Sequence, residues 1–215
     1  RTPFPDDWPY MGGVVAATRP QQSGMPNSVT LPWKPSRAPY TRPGQFSGKL
    51  GVKHDPLYVL GSRAAPTEFH APDLVLSSDV ASARFGDRRK LLAELDDARR
   101  DLDQFASVQT WNRQQDRAIS LLSSGATTAA FDVASERPET IARYGKTING
   151  MSLLAARRLA EAGVPFITVF WNEEDEVVAK KCLSGGGWDT HGNNFGCLKE
   201  NLLPEFDRAF SALVE

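Results

Sequence analysis

The chain is predicted to be an α/β protein, helix-rich with few strands, whose first third is irregular. Three observations predict this. GMSLLAARRLAEAGV (150–164) runs directly into PFITVFW (165–171), an amphipathic helix leading into an apolar β-branched run. Residues 85–106 carry leucines at steps of three and four. Residues 1–75 hold most of the 15 prolines, with many Gly and Ser.

In chain order, the Pro/Gly-rich segment 1–75 reads as ordered but irregular. Trp8, Tyr10, Trp33, Tyr40, Phe46 and Tyr58 supply aromatics that need burial, unlike a disordered segment. SVTLP (28–32) and LYVLG (57–61) are candidates for short strands or extended pieces. Next, FGDRRKLLAELDDARRDLDQFA (85–106) places Leu91, Leu92, Leu95, Ala98, Leu102 and Phe105 on one helical face, with acids and bases on the other. A second helix is expected over 108–124 and a shorter third from Ala126. The stretch 85–145 therefore reads as a helical insertion. Heptads do not persist long enough for a coiled coil.

The part from 147 to 215 reads as helix, strand, motif, helix. Leu153, Leu154, Ala156, Leu159 and Ala160 face a core, and Gly163 sits where a helix ends. PFITVFW is apolar on both faces, which predicts a strand interior to a sheet. It is the one strong strand signal, so its neighbours are expected from flanks outside this chain. Phe195, Leu198, Leu202, Phe206, Phe210 and Leu213 mark one stripe of a final helix, with Pro204 expected to kink it or start its second half.

Between strand and final helix lies GGGWDTHGNNF (185–195). Asp189 and His191 are two residues apart, a spacing that shares one face in extended chain and diverges in a helix. A carboxylate and an imidazole suit Zn²⁺ or a similar divalent ion. Ligands in open α/β sheets sit beyond the carboxyl ends of strands, and this motif follows one. The alternative is that Asp189, Thr190 or Asn193 caps the helix starting near 194 and His191 is a loop residue. Two donors do not fill a site that needs three or four. His54 and His70 lie in proline-rich loop and read as surface or packing residues. No Gly-x-Ser-x-Gly elbow, phosphate-binding loop or His-Glu-x-x-His helix is present, and Ser152 and Ser184 have no recognisable base.

Bulk properties narrow the class further. The net charge of −1 gives no reason to expect nucleic acid as a partner. No apolar run approaches the roughly 20 residues of a bilayer span. Cys182 and Cys197 flank the motif. A disulfide would close a short loop around it and suggest an oxidising compartment; two separate thiols is the reading favoured. The chain begins at Arg1 and ends at Glu215 within a helical pattern, so it reads as an internal piece of a longer protein.

YGKTINGMSLLAARRLAEAGVPFITVFW (144–171) followed by GGWDTHGNNFGCLKENLLPEFDRAFSALVE (186–215) resembles the bacterial family known as domain of unknown function 1501. DDWPYMGGVV (6–15), MPNSVTLP (25–32), PGQFSGKLG (43–51), DPLYVLG (55–61) and DRRKLLAELD (87–96) agree with it too, so the resemblance covers essentially the whole chain. It implies an alkaline-phosphatase-like fold related to sulfatases, of which this would be one incomplete domain. It also implies an exported, periplasmic or secreted protein, often with a twin-arginine leader, that hydrolyses phosphate or sulfate esters of small molecules or polysaccharides. Asp189 and His191 would be ligands to a divalent metal, Zn or Ca, with Trp188 and Thr190 around them. The nucleophile would lie outside this chain, leaving the fragment inactive alone. A non-catalytic envelope or polysaccharide-associated binding protein is the competing expectation, and a purely structural metal a third.

Overall fold

The structure is a computed structural model, and it describes residues 6–19, 25–33, 44–71, 129–171, 180, 182, 188 and 190–215. The chain divides into two compact units, 1–73 with 125–215, and 74–124; every element below belongs to the first. The helices expected over 85–106 and 108–124 lie outside the described residues. Of the third, residues 129–131 are helical.

In chain order the elements are α1 (Met11–Thr18), β1 (Val29–Leu31), β2 (Leu57–Tyr58), β3 (Leu60–Gly61), β4 (Phe69–His70), α2 (Pro138–Tyr144), α3 (Ile148–Glu161), β5 (Ile167–Val169), α4 (Asn194–Cys197) and α5 (Leu203–Val214). Strands β2, β1 and β5 form a parallel sheet in that order, and β3 and β4 an antiparallel pair. The protein is thus mixed α/β, helix-rich with few strands. Among the described residues no helix is long and apolar enough to cross a membrane.

The sheet corrects two expectations. The strand expected to be interior, β5, is an edge strand among the described residues, and Ile167, Thr168 and Val169 are each half-buried. The centre belongs to β1, all three of whose residues are buried. The neighbours expected from outside the chain come instead from SVTLP and LYVLG within it. A three-residue strand is too short for periodicity to reveal; its place at the centre follows from its partners.

Helix α3 is the hub. Thr147 caps its start by accepting a hydrogen bond from the Gly150 N–H at 3.1 Å. Met151, Leu154, Ala155 and Leu159 are fully buried along it, and it packs on β5, α2 and α5. Its end is a Schellman turn. Gly163, at φ 96°, donates to the Ala160 carbonyl at 3.0 Å, and Val164 to Leu159 at 2.9 Å. The left-handed residue is the glycine that the sequence places there. Arg158 ties the helix outward, pairing with Glu136 and donating to the Ala129 and Ala130 carbonyls.

The final helix is in two pieces. Residues Leu198–Leu202 form a π turn, with the Leu203 N–H bonding back to the Leu198 carbonyl, and α5 starts fresh with Pro204 in its first turn, where the missing N–H leaves nothing unsatisfied. Local π geometry resets the helical register, so the expected apolar stripe does not stay together. Leu202 is buried, whereas Phe195 is 86% and Phe210 45% exposed. Ala209 takes the fully buried position in α5.

Candidate functional site

Asp189 lies outside the described residues. His191 is exposed and stands in a bend over residues 191–193, with Thr190 before it also non-helical. Helix α4 begins only at Asn194. Positions 190–193 are therefore non-helical, a bend that ends with Asn193 in the left-handed conformation. Of the capping candidates, Thr190 and Asn193 lie among the described residues. Asn193 stands at the cap position in a left-handed conformation, and its side chain makes no cap bond. The Thr190 hydroxyl donates to the Asn194 side-chain oxygen, whereas a cap would accept from a helix N–H.

Two anchors hold the motif. The first is covalent. Cys182 and Cys197 form a disulfide closing a 15-residue separation around it, which overturns the expectation of separate thiols. Both sulfur-bearing residues are buried with Leu202, and Leu198 packs against them. The pairing was open at the level of sequence because it depends on where α4 brings Cys197. The second anchor is aromatic. Trp188 meets the Phe206 ring edge-on at 6.0 Å, and Trp171, just past β5, meets the same ring at 5.3 Å. Phe206 so brings the motif beside the carboxyl end of β5, the region where open α/β sheets hold ligands.

His54 closes the 3₁₀ turn Val52–His54 and His70 is exposed in β4. Among the described residues, no three His, Cys, Asp or Glu side chains converge as a metal would require. The donor types at Asp189 and His191 fit a divalent ion, but their number is short of a complete site.

A second feature, which no local sequence signal announces, is a cleft of about 500 Å³ on one face of the sheet. In register across the three strands, Thr30 of β1 stands beside Tyr58 of β2 and Thr168 of β5. These three line the cleft, with Phe166 and Phe170 along β5. Trp8, Tyr10 and Met11 form the facing wall, and Gly44 and Gln45 complete the lining. The Tyr10 hydroxyl donates to Ser28 Oγ at 2.7 Å, and Tyr58 donates to the Gln45 carbonyl at 3.3 Å. The wall is seated close because Gly12 has no side chain: a Cβ there would collide with the Tyr10 ring and the Ser28 hydroxyl.

Burial raises the Tyr10 phenol to about 12, the Ser28 hydrogen bond opposing and Asp55 adding to the shift. Burial, then Asp55, also pushes Tyr58 up, and burial raises Tyr144. An unfolded tyrosine ionises near 10. The folded state thus holds these protons more tightly, and the stability this gives is complete below about pH 10. It is lost as pH climbs through about 12 for Tyr10. A tyrosinate absorbance titration should show Tyr10 ionising late, at about 12, and Tyr58 and Tyr144 also later than an ordinary tyrosine, with unfolding stability falling over the same alkaline window. Simultaneous ionisation of all four near pH 10 would contradict the burial of Tyr10 and Tyr58.

The described residues define a class: a helix-rich α/β protein with a short parallel sheet and, past its strand β5, Trp171 and Trp188 gathered on the Phe206 ring. Within that class, residues 5–215 match the model described as "Protein of unknown function (DUF1501)", and the chain belongs to that family. Neither the curated proteins nor the solved structures contain a match.

Proposed function

We propose that the protein is part of an exported, metal-dependent hydrolase of phosphate or sulfate esters with an alkaline-phosphatase-like fold, and that Asp189 and His191 are two of its metal ligands. The observation that carries the reading is the placement of the motif. It is a non-helical turn through 190–193, drawn by Trp188 and Phe206 to the end of β5 and enclosed by a disulfide. Export is supported by the same bond, since disulfides persist in oxidising compartments. The resemblance of the WDTH series and its flanks to a superfamily of ester hydrolases supports the reaction class by analogy.

In this reading His191 offers a neutral imidazole nitrogen and Asp189 a carboxylate oxygen, and the other ligands and the nucleophile come from elsewhere in the protein. A bound Zn²⁺ or Ca²⁺ supplies charge neutralisation for the transferred phosphoryl or sulfuryl group. Trp188, set edge-on against Phe206, and the Thr190–Asn194 hydrogen bond restrict how the motif can turn, which keeps the ligand pair organised before substrate arrives. The substrate is an ester of a small molecule or a polysaccharide.

Removal of metal tests this. The full-length protein, assayed on aryl phosphate and aryl sulfate esters, is expected to lose activity on dialysis against a chelator and to regain it with Zn²⁺ or Ca²⁺. Hydrolysis that persists in chelator at full rate contradicts the metal; no hydrolysis of either ester under any metal contradicts the reaction class.

A further inference from the structure

The two faces of the parallel sheet are built to different purposes. One carries Val29, Leu31, Ile167 and Val169, and helix α3 packs on β5. That is the aliphatic face that helix packing on a parallel sheet calls for. The other presents the row Tyr58–Thr30–Thr168, hydroxyl after hydroxyl across three adjacent strands, between Phe166 and Phe170 along β5 and the Trp8–Tyr10 wall. A row of hydroxyls is a poor seat for a helix and a good one for a ligand that is part apolar and part hydroxylic.

Among the described residues no charged side chain lines the cleft. Two charges nearby have partners: the Lys49 ammonium sits 4.2 Å from the Trp8 ring centroid, at the rim of the cleft, and Asp55 accepts the Ser47 N–H at 2.6 Å. The volume, about 500 Å³, lies within the range of small-molecule sites, which are mostly apolar with a few placed polar groups. Trp8 is 79% exposed, a large ring held out of any core. From these features we propose that the cleft binds a neutral saccharide. The C–H faces of sugar rings would lie against Trp8, Tyr58 and the Phe166–Phe170 wall. The ring hydroxyls would exchange hydrogen bonds with Thr30 and Thr168, since each threonine hydroxyl can donate once and accept twice. Among the described lining residues no cation offers an anionic sugar an ion pair, and Lys49 is engaged at the Trp8 ring. The Tyr10 and Tyr58 hydrogen bonds hold the walls in place beforehand, which lowers the ordering cost of binding. This inference does not rest on the role of Asp189 and His191.

The test is a glycan array of neutral and anionic oligosaccharides probed with the full-length protein, followed by titration calorimetry on the strongest glycan. Two variants accompany it: Thr168→Val, which keeps the shape and removes the hydroxyl, and Trp8→Ala, an exposed position whose loss spares the core. Binding of neutral glycans is expected, weakened about tenfold by either variant, with the unfolding midpoint of Trp8→Ala unchanged. Three results would overturn the proposal: no neutral glycan bound, as when a protein segment fills the cleft; preference for anionic glycans; or affinities indifferent to both variants.

Discussion

His191→Ala in the full-length protein, alone or with Asp189→Ala, is expected to lower metal affinity by more than about 100-fold, since even residues that only support a ligand are worth about 10–100-fold. Ester hydrolysis should fall in parallel. The physical reason is that a divalent site has few donors, and removing an imidazole or carboxylate leaves an ion under-coordinated in a way water does not fully repair. The substitutions themselves should be mild for folding. His191 is exposed, and the backbone of the turn is held by its neighbours: the Thr190 N–H bonds the Trp188 carbonyl at 3.0 Å, and Cys197 is fixed by its disulfide. An unchanged melting curve with lost metal is therefore the expected pairing. Metal content and hydrolysis that survive in the double variant would show that the WDTH turn is not a ligand set.

The second large effect is expected from Cys182→Ser with Cys197→Ser. A bond across a 15-residue separation restricts the unfolded chain by about 3 kcal/mol on the loop-entropy account. For a domain of this size that is a fall of roughly 6–12 °C in Tm. Both cysteines are buried against Leu202, so the serine hydroxyls would also sit among apolar atoms, adding to the loss. Thermal unfolding of the paired variant measures it. The same variant links stability to function: without the bond, residues 183–196 are a longer, less restricted connection, and the motif within them should hold metal more weakly. A Tm indistinguishable from that of the oxidised protein would mean the bond contributes nothing to the fold.

What was legible in the sequence depended on whether a signal was local. Helix α3, its Gly163 turn and the step into β5 were readable, because apolar spacing of three and four and a left-handed glycine are local facts. Pro204 as the start of a second helical piece was readable for the same reason. The π turn before it was not, since nothing in LKENL distinguishes five residues of π from α; consequently Phe195 and Phe210 were assigned to a core that they do not enter. Which strand is central was hidden as well. PFITVFW has the stronger apolar run, yet Val29–Leu31 is the strand paired on both sides, and pairing is a relation between distant segments. The Tyr58–Thr30–Thr168 row is the extreme case: residues 28 and 138 positions from Thr30 meet only through register. Cys182 and Cys197 stand between these limits. Their proximity along the chain permitted a bond, but the choice between bond and thiols lay in where the start of α4 points Cys197.

The candidate site was legible in kind and not in completeness. Asp189 and His191 have the spacing and chemistry of a ligand pair; the backbone from 190 to 193 is non-helical, and Asp189 lies outside the described residues. No count of His, Asp and Glu in the sequence reveals which side chains come together, because convergence is again long-range.

The most direct test is anomalous scattering from crystals of the full-length protein grown with Zn²⁺. The account predicts a metal peak about 2.0–2.2 Å from an imidazole nitrogen of His191 and from a carboxylate oxygen of Asp189. A peak ligated only by other residues, or His191 and Asp189 turned away from each other with no ion between them, would contradict it.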